Sequence, residues 1–216
     1  MQLNNIVDKI YCINLKRRPD RLTLFEERFK NAFTTNVDIP SLQILEAVDA
    51  RSQSQAFPAG WRGLPGAYAC TLSHLKVIRE AVTSNETTIM ILEDDVTFDA
   101  DFSNKLAIVL DELPEDWDWL YLGYNPQEPL ERVSQHLATT VGLTTHAYLL
   151  NNQHNIFQTI IKELPVAKDP IDLYYVTDLQ KRFNTYFSVP RLCGQDNNSY
   201  SDIQGRVCNY TSELGF

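Results

Sequence analysis

The sequence predicts an α/β sandwich built on a mainly parallel central sheet. Two observations carry that expectation. Short apolar runs rich in β-formers alternate with segments whose apolar residues recur every three or four positions, the pattern of strands connected through helices. One of those runs, Thr88-Ile-Met-Ile-Leu92, passes directly into Glu93-Asp94-Asp95. A continuous apolar run fits a strand covered on both faces, and open α/β sheets bind ligands just beyond the carboxyl ends of such strands. Adjacent carboxylates repel one another, so this cluster is tolerated most readily where a hard dication such as Mg²⁺ or Mn²⁺ bridges it to phosphates. Alternation along an extended chain sets Glu93 and Asp95 on one side and Asp94 on the other. A solvated acidic loop is the competing reading of the same residues.

Lys9 to Leu15 reads as the first strand, followed by the turn Asn14-Leu-Lys-Arg-Arg-Pro19. Pro19 suits a first helical position, and Leu22, Phe25, Phe29 and Phe33 then form a core stripe. Leu42 to Val48 predicts a second strand, ending at Asp49. Arg51 to Gly66 mixes Ser, Gln, Pro, Gly and Trp61 without a period and reads as a long loop. A helix opens at Gly66, carries Leu72, Leu75, Ile78 and Val82, and runs into the Thr88 strand. Phe102, Leu106, Val109 and Leu110 trace the next helix, and Trp119 to Leu122 the next strand. Thr144 to Leu150 predicts a further strand, and Ile156, Phe157, Ile160, Ile161 and Leu164 a helical stripe. Leu173 to Phe183 suits a helix with Asp169 and Asp172 before it or in its first turn. From Tyr186 onward one strand-like piece precedes a polar tail.

A length of 216 residues fits one domain, residues 1–216, with a full core. Formal charge is 19 minus 28, or −9, which argues against a nucleic-acid partner. The first residues lack the apolar core of a signal peptide and no stretch reaches membrane-spanning length, so a cytoplasmic enzyme is the simplest expectation. Cys12, Cys70, Cys193 and Cys208 are scattered without a C-x-x-C pair, the usage of reduced, mostly buried thiols rather than of disulfides or zinc ligands. Glycosylation-type triplets begin at Asn85, Asn197 and Asn209, and without a secretory leader they read as chance matches.

Three blocks carry a resemblance: Asp8-Lys-Ile-Tyr-Cys-Ile-Asn-Leu-Lys-Arg-Arg-Pro-Asp-Arg-Leu22, then Gly66-Ala-Tyr-Ala-Cys-Thr-Leu-Ser-His-Leu75, then Ile91-Leu-Glu-Asp-Asp-Val-Thr-Phe98. Their order resembles glycosyltransferase family 25, which includes bacterial lipooligosaccharide galactosyltransferases and is related to collagen galactosyltransferase domains. Thr145-His-Ala-Tyr148, Pro170-Ile-Asp-Leu173, Val189-Pro-Arg-Leu192 and Ser201-Asp-Ile203 extend the match over nearly the whole chain. The resemblance implies a GT-A type fold and inverting transfer of a hexose, galactose favoured, from a UDP-sugar to a hydroxyl. The acceptor would be a glycan, glycolipid or glycoprotein, and a lipid-linked one would bring the protein to a membrane surface. Where the family has Gly-Glu-Ile-Gly-Cys, this chain has Gly66-Ala67-Tyr68-Ala69-Cys70. That loss of a carboxylate at Ala67 bears on donor or acceptor identity, not on the acidic cluster.

Chemistry assigns roles to these residues. A departing nucleoside diphosphate must have its charge neutralised, by a metal or by fixed donors. Asp95 is the first candidate metal ligand, with Glu93 or Asp94 on the donor ribose or sugar, Glu93 also eligible as a ligand, and Mn²⁺ or Mg²⁺ the expected ion. Arg17, Arg18 and Arg21 can reach phosphates or frame the base, Arg17 foremost, or else form a solvated helix face. The resemblance adds Asn14 to the donor set. Ser73 and His74 lie on the Gly66 helix, whose start can aim backbone donors at anions, although a packed histidine is the alternative. Asp49 can accept from a ribose hydroxyl or cap its loop. Inversion needs a base away from the metal cluster: Asp172 before Asp169, each otherwise a helix cap. Residues 190–216 would close over the donor through Gln195 and Ser201, with Asp202 able to complete metal coordination or to bind the donor; a disordered polar tail is the competing reading. Two other classes compete. One is a phosphohydrolase, although Glu93 at the nucleophile position displaces the attacking oxygen. The other is a non-catalytic sugar-nucleotide or carbohydrate-binding module.

Overall fold

The computed structural model describes residues 3–33, 38–54, 56–196 and 199–208. In chain order the elements are β1 (Lys9–Asn14), α1 (Pro19–Ala32), β2 (Leu42–Glu46), α2 (Pro65–Thr83), β3 (Thr88–Glu93), β4 (Val96–Phe98) and α3 (Phe102–Asp111). They continue with β5 (Trp119–Pro126), β6 (Glu131–Arg132), β7 (Leu137–Thr139), β8 (Gly142–Asn151), α4 (Ile156–Glu163), α5 (Ile171–Thr177) and β9 (Thr185–Ser188). Three short strands close the described chain: β10 (Cys193–Gln195), β11 (Ser199–Ser201) and β12 (Arg206–Cys208).

Eight strands form one sheet in the order β2-β1-β3-β8-β5-β9-β7-β6. β1 pairs in parallel with β2 and β3, and β5 with β9. β8 runs antiparallel between β3 and β5, so the sheet is mixed, though mostly parallel. Hydrophobic pattern alone does not reveal that reversal. The connection from β5 to β8 holds only the short strands β6 and β7 and no helix, so β8 returns against β5 instead of crossing over to lie parallel.

Strand alternation builds a core on each face. Tyr11, Ile13, Ile89 and Ile91 pack with Leu75 and Ile78 of α2, Phe157 and Ile160 of α4 and Tyr175 of α5. Ile10, Cys12, Met90 and Leu92 pack on the opposite face with Phe25 and Phe29 of α1 and Leu106 and Val109 of α3. β3 is therefore buried on both sides, as its uninterrupted apolar run predicts, and its carboxyl end opens between α1 and α2. None of the four cysteines is in a disulfide. Among the described residues no helix is long and apolar enough to cross a membrane. Residues 209–216, the end of the segment expected over the donor, lie outside the described residues, as do Asn197 and Asn209 of the glycosylation-type triplets.

Candidate active site

β3 stops at Glu93, and the chain turns through Asp94 and Asp95 into β4. That turn corrects the expectation from strand alternation. Asp94 and Asp95 face the same cation, with Arg21 Nη2 2.5 Å from Asp94 Oδ1 and 2.8 Å from Asp95 Oδ2. Glu93 turns instead toward α2 and β8. Asn14, at the end of β1, donates from Nδ2 to Asp94 Oδ2 (2.7 Å) and to the Arg18 carbonyl (3.2 Å). It positions the turn and does not line the cleft. Burial pushes the Asp94 carboxyl up to about 7 against the pull of Arg21, and burial likewise raises Asp95. One guanidinium does not neutralise the two carboxylates. Gln195 hydrogen-bonds the Asp95 side chain, while buried Asp95 Oδ1 has no hydrogen-bond partner among the described residues.

The other two arginines converge on the tail. Arg17 Nη1 and Arg18 Nη1 each lie 2.7 Å from an oxygen of Asp202, whose side chain is 9% exposed, and Arg17 Nε binds Asp49 Oδ2 at 2.6 Å. Asp49 also accepts from the Arg51 backbone N–H at 3.0 Å, the local cap that sequence allowed. Arg21 stands between Asp202 and the acidic turn, since its Nη1 is 3.9 Å from Asp202 while its Nη2 holds Asp94 and Asp95. The geometry therefore does not bring Asp202 into a common ligand set with Asp95. Gly66, in the first turn of α2, permits this segment to close: a Cβ there would lie 2.7 Å from Ile203 Cα.

On the far side of Glu93, His74 Nε2 lies 3.3 Å from Oε1, and the Thr145 hydroxyl donates to the same oxygen at 2.8 Å. His74 Nδ1 meets the Tyr148 hydroxyl at 2.9 Å. Burial alone would raise the Glu93 carboxyl, but the His74 and Thr145 contacts hold it well below the usual range, so it is ionised. Ser73 is a fastener: its hydroxyl accepts from the Val48 N–H and donates to the Ala69 carbonyl, tying the end of the β2 segment to α2.

These side chains border two clefts. The first is lined by Arg17, Arg21, Val48, Ala50, Ser73, His74 and all three carboxylates of the acidic run. The second is lined by Arg62, Ala67, Thr144, Thr145, Pro170 and Asp172. Cys70, Glu93, Gln195, Ser201 and Ile203 line both, so the clefts meet along them. Asp172 is only partly exposed, its carboxyl is raised by burial, and its Oδ1 accepts from the Leu173 N–H at 2.9 Å. Asp169 is paired with Arg62 and lines neither cleft. Asp49 likewise lies outside both. Ala67, the departure from the family pattern, borders the second cleft.

Sequence reasoning did not assign Cys70 or Thr145 to the site. Both stood inside quoted blocks. Cys70, read as a buried thiol, lies four residues before His74 on one helix face, and Thr145 reaches Glu93 only through the antiparallel pairing of β8 with β3.

The chain is similar to known proteins in sequence and in fold. Residues 7–164 match the model of glycosyltransferase family 25 (LPS biosynthesis protein). A glycosyltransferase 25 family member of Aedes aegypti is 31% identical, over 78% of this chain and 30% of that protein. Procollagen galactosyltransferase 2 of Homo sapiens is 31% identical over 54% of this chain and 20% of its own length. A Bos taurus relative named probable inactive glycosyltransferase 25 family member 3 is 29% identical over 67% of this chain and 27% of its own. The chain thus spans between a fifth and a third of the length of these curated relatives. Among solved structures, a glycosyltransferase involved in glycosylation of the major capsid of PBCV-1 superposes with a TM-score of 0.53 at 10% identity, covering 83% of this chain and 79% of that one. The fold is of the GT-A type.

Proposed function

The chain belongs to glycosyltransferase family 25, and from that premise we propose that it is an inverting hexosyltransferase acting from a UDP-sugar on a hydroxyl of a glycan or glycoconjugate. One observation carries the proposal: a cleft bearing arginines and the acidic turn meets, along Glu93, a second cleft bearing the partly buried carboxyl of Asp172. Transfer between two substrates needs such a junction. Galactose is the favoured sugar, because relatives matching this chain are named procollagen galactosyltransferases.

The acidic turn fits a hard dication. Its donors are carboxylate oxygens, and Asp95 Oδ1 is buried without a partner among the described residues. Asp95, with Asp94 beside it, would hold Mn²⁺ or Mg²⁺, which would offset the charge of the departing diphosphate. Arg17 and Arg21 add fixed positive charge on the same cleft. Glu93, ionised and fixed by His74 and Thr145, faces the sugar at the junction. Across it, Asp172 accepts the proton of the acceptor hydroxyl as that oxygen attacks the anomeric carbon from the face opposite the leaving group. A carboxyl raised by burial is a stronger base than an exposed one.

Incubation with a panel of UDP-hexoses and Mn²⁺ tests the reading. Transfer or slow donor hydrolysis, greatest with UDP-galactose, is the expected result. Binding without turnover would make the chain a recognition module, and phosphate release from monoesters a hydrolase. Mn²⁺ should also tighten UDP binding in calorimetry, and Asp95→Ala should remove that gain. Equal affinity with metal and with chelator would overturn the metal assignment.

A further inference from the structure

We propose that Cys70, His74 and Glu93 form a site for a soft, zinc-type divalent cation where the two clefts meet, distinct from the oxygen-lined position at Asp95. The inference does not depend on the transferase reading, because it rests on ligand geometry alone.

Cys70 and His74 are four residues apart on α2 and project from one face, toward the end of β3 where Glu93 lies. One ligand atom from each comes within 4.8 Å of the other two. His74 Nε2 and Glu93 Oε1 are 3.3 Å apart, and two ligands held about 2.0–2.1 Å from a tetrahedral centre stand roughly 3.3–3.4 Å from one another. The surrounding contacts orient the ligands. With a metal at Nε2 in place of the proton now shared with Glu93, the ring proton sits on Nδ1, where the Tyr148 hydroxyl, 2.9 Å away, can accept it. Thr145 donates to Oε1 at 2.8 Å and fixes the carboxylate. Thiolate and imidazole together select zinc-type ions over Mg²⁺ or Mn²⁺, which favour the carboxylates of Asp94 and Asp95. Three protein ligands leave a fourth position, and since Cys70 and Glu93 line both clefts, that position opens to solvent or to a substrate oxygen.

On binding, the Cys70 thiol loses its proton to solvent and coordinates as thiolate, and the proton between His74 Nε2 and Glu93 moves to Nδ1 or to solvent; no electron is transferred. Co²⁺ is the probe, because a thiolate ligand gives it an intense near-ultraviolet charge-transfer band. The full chain titrated with Co²⁺ should show that band, and one equivalent of Zn²⁺ should abolish it. Asp95→Asn should keep the band and Cys70→Ser should lose it. Zn²⁺ affinity should fall by about tenfold in Tyr148→Phe and by roughly 100-fold or more in Cys70→Ser, since even orienting partners contribute about 10–100-fold. X-ray absorption on the zinc-loaded unmutated chain should find one sulfur at about 2.3 Å with nitrogen and oxygen at about 2.0–2.2 Å. This measurement holds even where a variant does not fold. A shell without sulfur, no cobalt band in the unmutated chain, or a band that persists in folded Cys70→Ser would overturn the proposal.

Discussion

Asp172 and Asp94 are both raised by burial but stand in different surroundings. Asp172 borders the second cleft with a carboxyl raised by burial, while its neighbour Asp169 is held by Arg62. Asp172→Asn keeps the shape and the bond to the Leu173 N–H but removes the basic lone pair. UDP binding should survive while transfer falls by roughly 10²-fold or more. Loss of transfer only together with UDP affinity would make Asp172 a donor-site residue, and a dead Asp169→Asn beside an active Asp172→Asn would move the role to Asp169. Asp94 has a consequence for stability. Its carboxyl is pushed from 3.8 up to about 7 by burial beside Asp95. A raised carboxyl pKa means the folded state holds the proton more tightly than the unfolded one, so its stabilising contribution is full below about 4 and is lost as pH rises through about 7. The melting temperature should therefore fall more steeply between about pH 4 and 7 in the unmutated chain than in Asp94→Asn. Parallel slopes would mean that Arg21 neutralises the pair. The carboxylates and arginines that line the first cleft were legible as a cluster because their types and order stand out in the sequence. Their partners were not, since Arg17 and Asp202 stand 185 positions apart in sequence and adjacency alone cannot join them.

At the scale of elements, local periodicity read the strands and helices that flank the site, and it failed where tertiary pairing decides. β1, β3, α1 and α2 were legible from buried runs and from core stripes with Pro19 at a helix start. β10, β11 and β12 were not, because three-residue strands carry no period and exist only through their partners. The β11–β12 hairpin lies against the start of α2, with Ile203 packed on Gly66 and Asp202 held by Arg17 and Arg18. Asp202 thus holds the guanidiniums that a diphosphate would engage. Asp202→Asn should strengthen UDP binding several-fold and leave the Mn²⁺-dependent gain intact. If Asp202 is instead a metal ligand, the variant should lose that gain. Gly66→Ala should push the hairpin off its seat, because the added Cβ would meet the Ile203 backbone. Faster proteolysis of residues 199–208 would report that displacement, and unchanged cleavage would show that α2 yields instead.

The whole molecule separates what makes the fold from what completes the site. Among the described residues both cores are assembled from residues 3–193, and the central sheet takes no strand from beyond β9. The segment 199–208 contributes instead to the clefts, through Ser201, Asp202 and Ile203. A chain ending at Asp196 should therefore keep a single cooperative unfolding transition. Losing the Asp202 ion pairs, part-buried and partly screened, and the Ile203 contact should cost about 1–2 kcal/mol, or roughly 2–8 °C in melting temperature for a domain of this size. UDP affinity should fall even so, because the shortened chain loses a wall of the cleft proposed for the donor along with the competing carboxylate, whereas Asp202→Asn loses only the charge. Calorimetric unfolding and UDP titration on the same preparation check both halves. Loss of cooperative unfolding would place the tail in the folding unit, and undiminished UDP binding by a folded, shortened chain would remove residues 199–208 from the donor site.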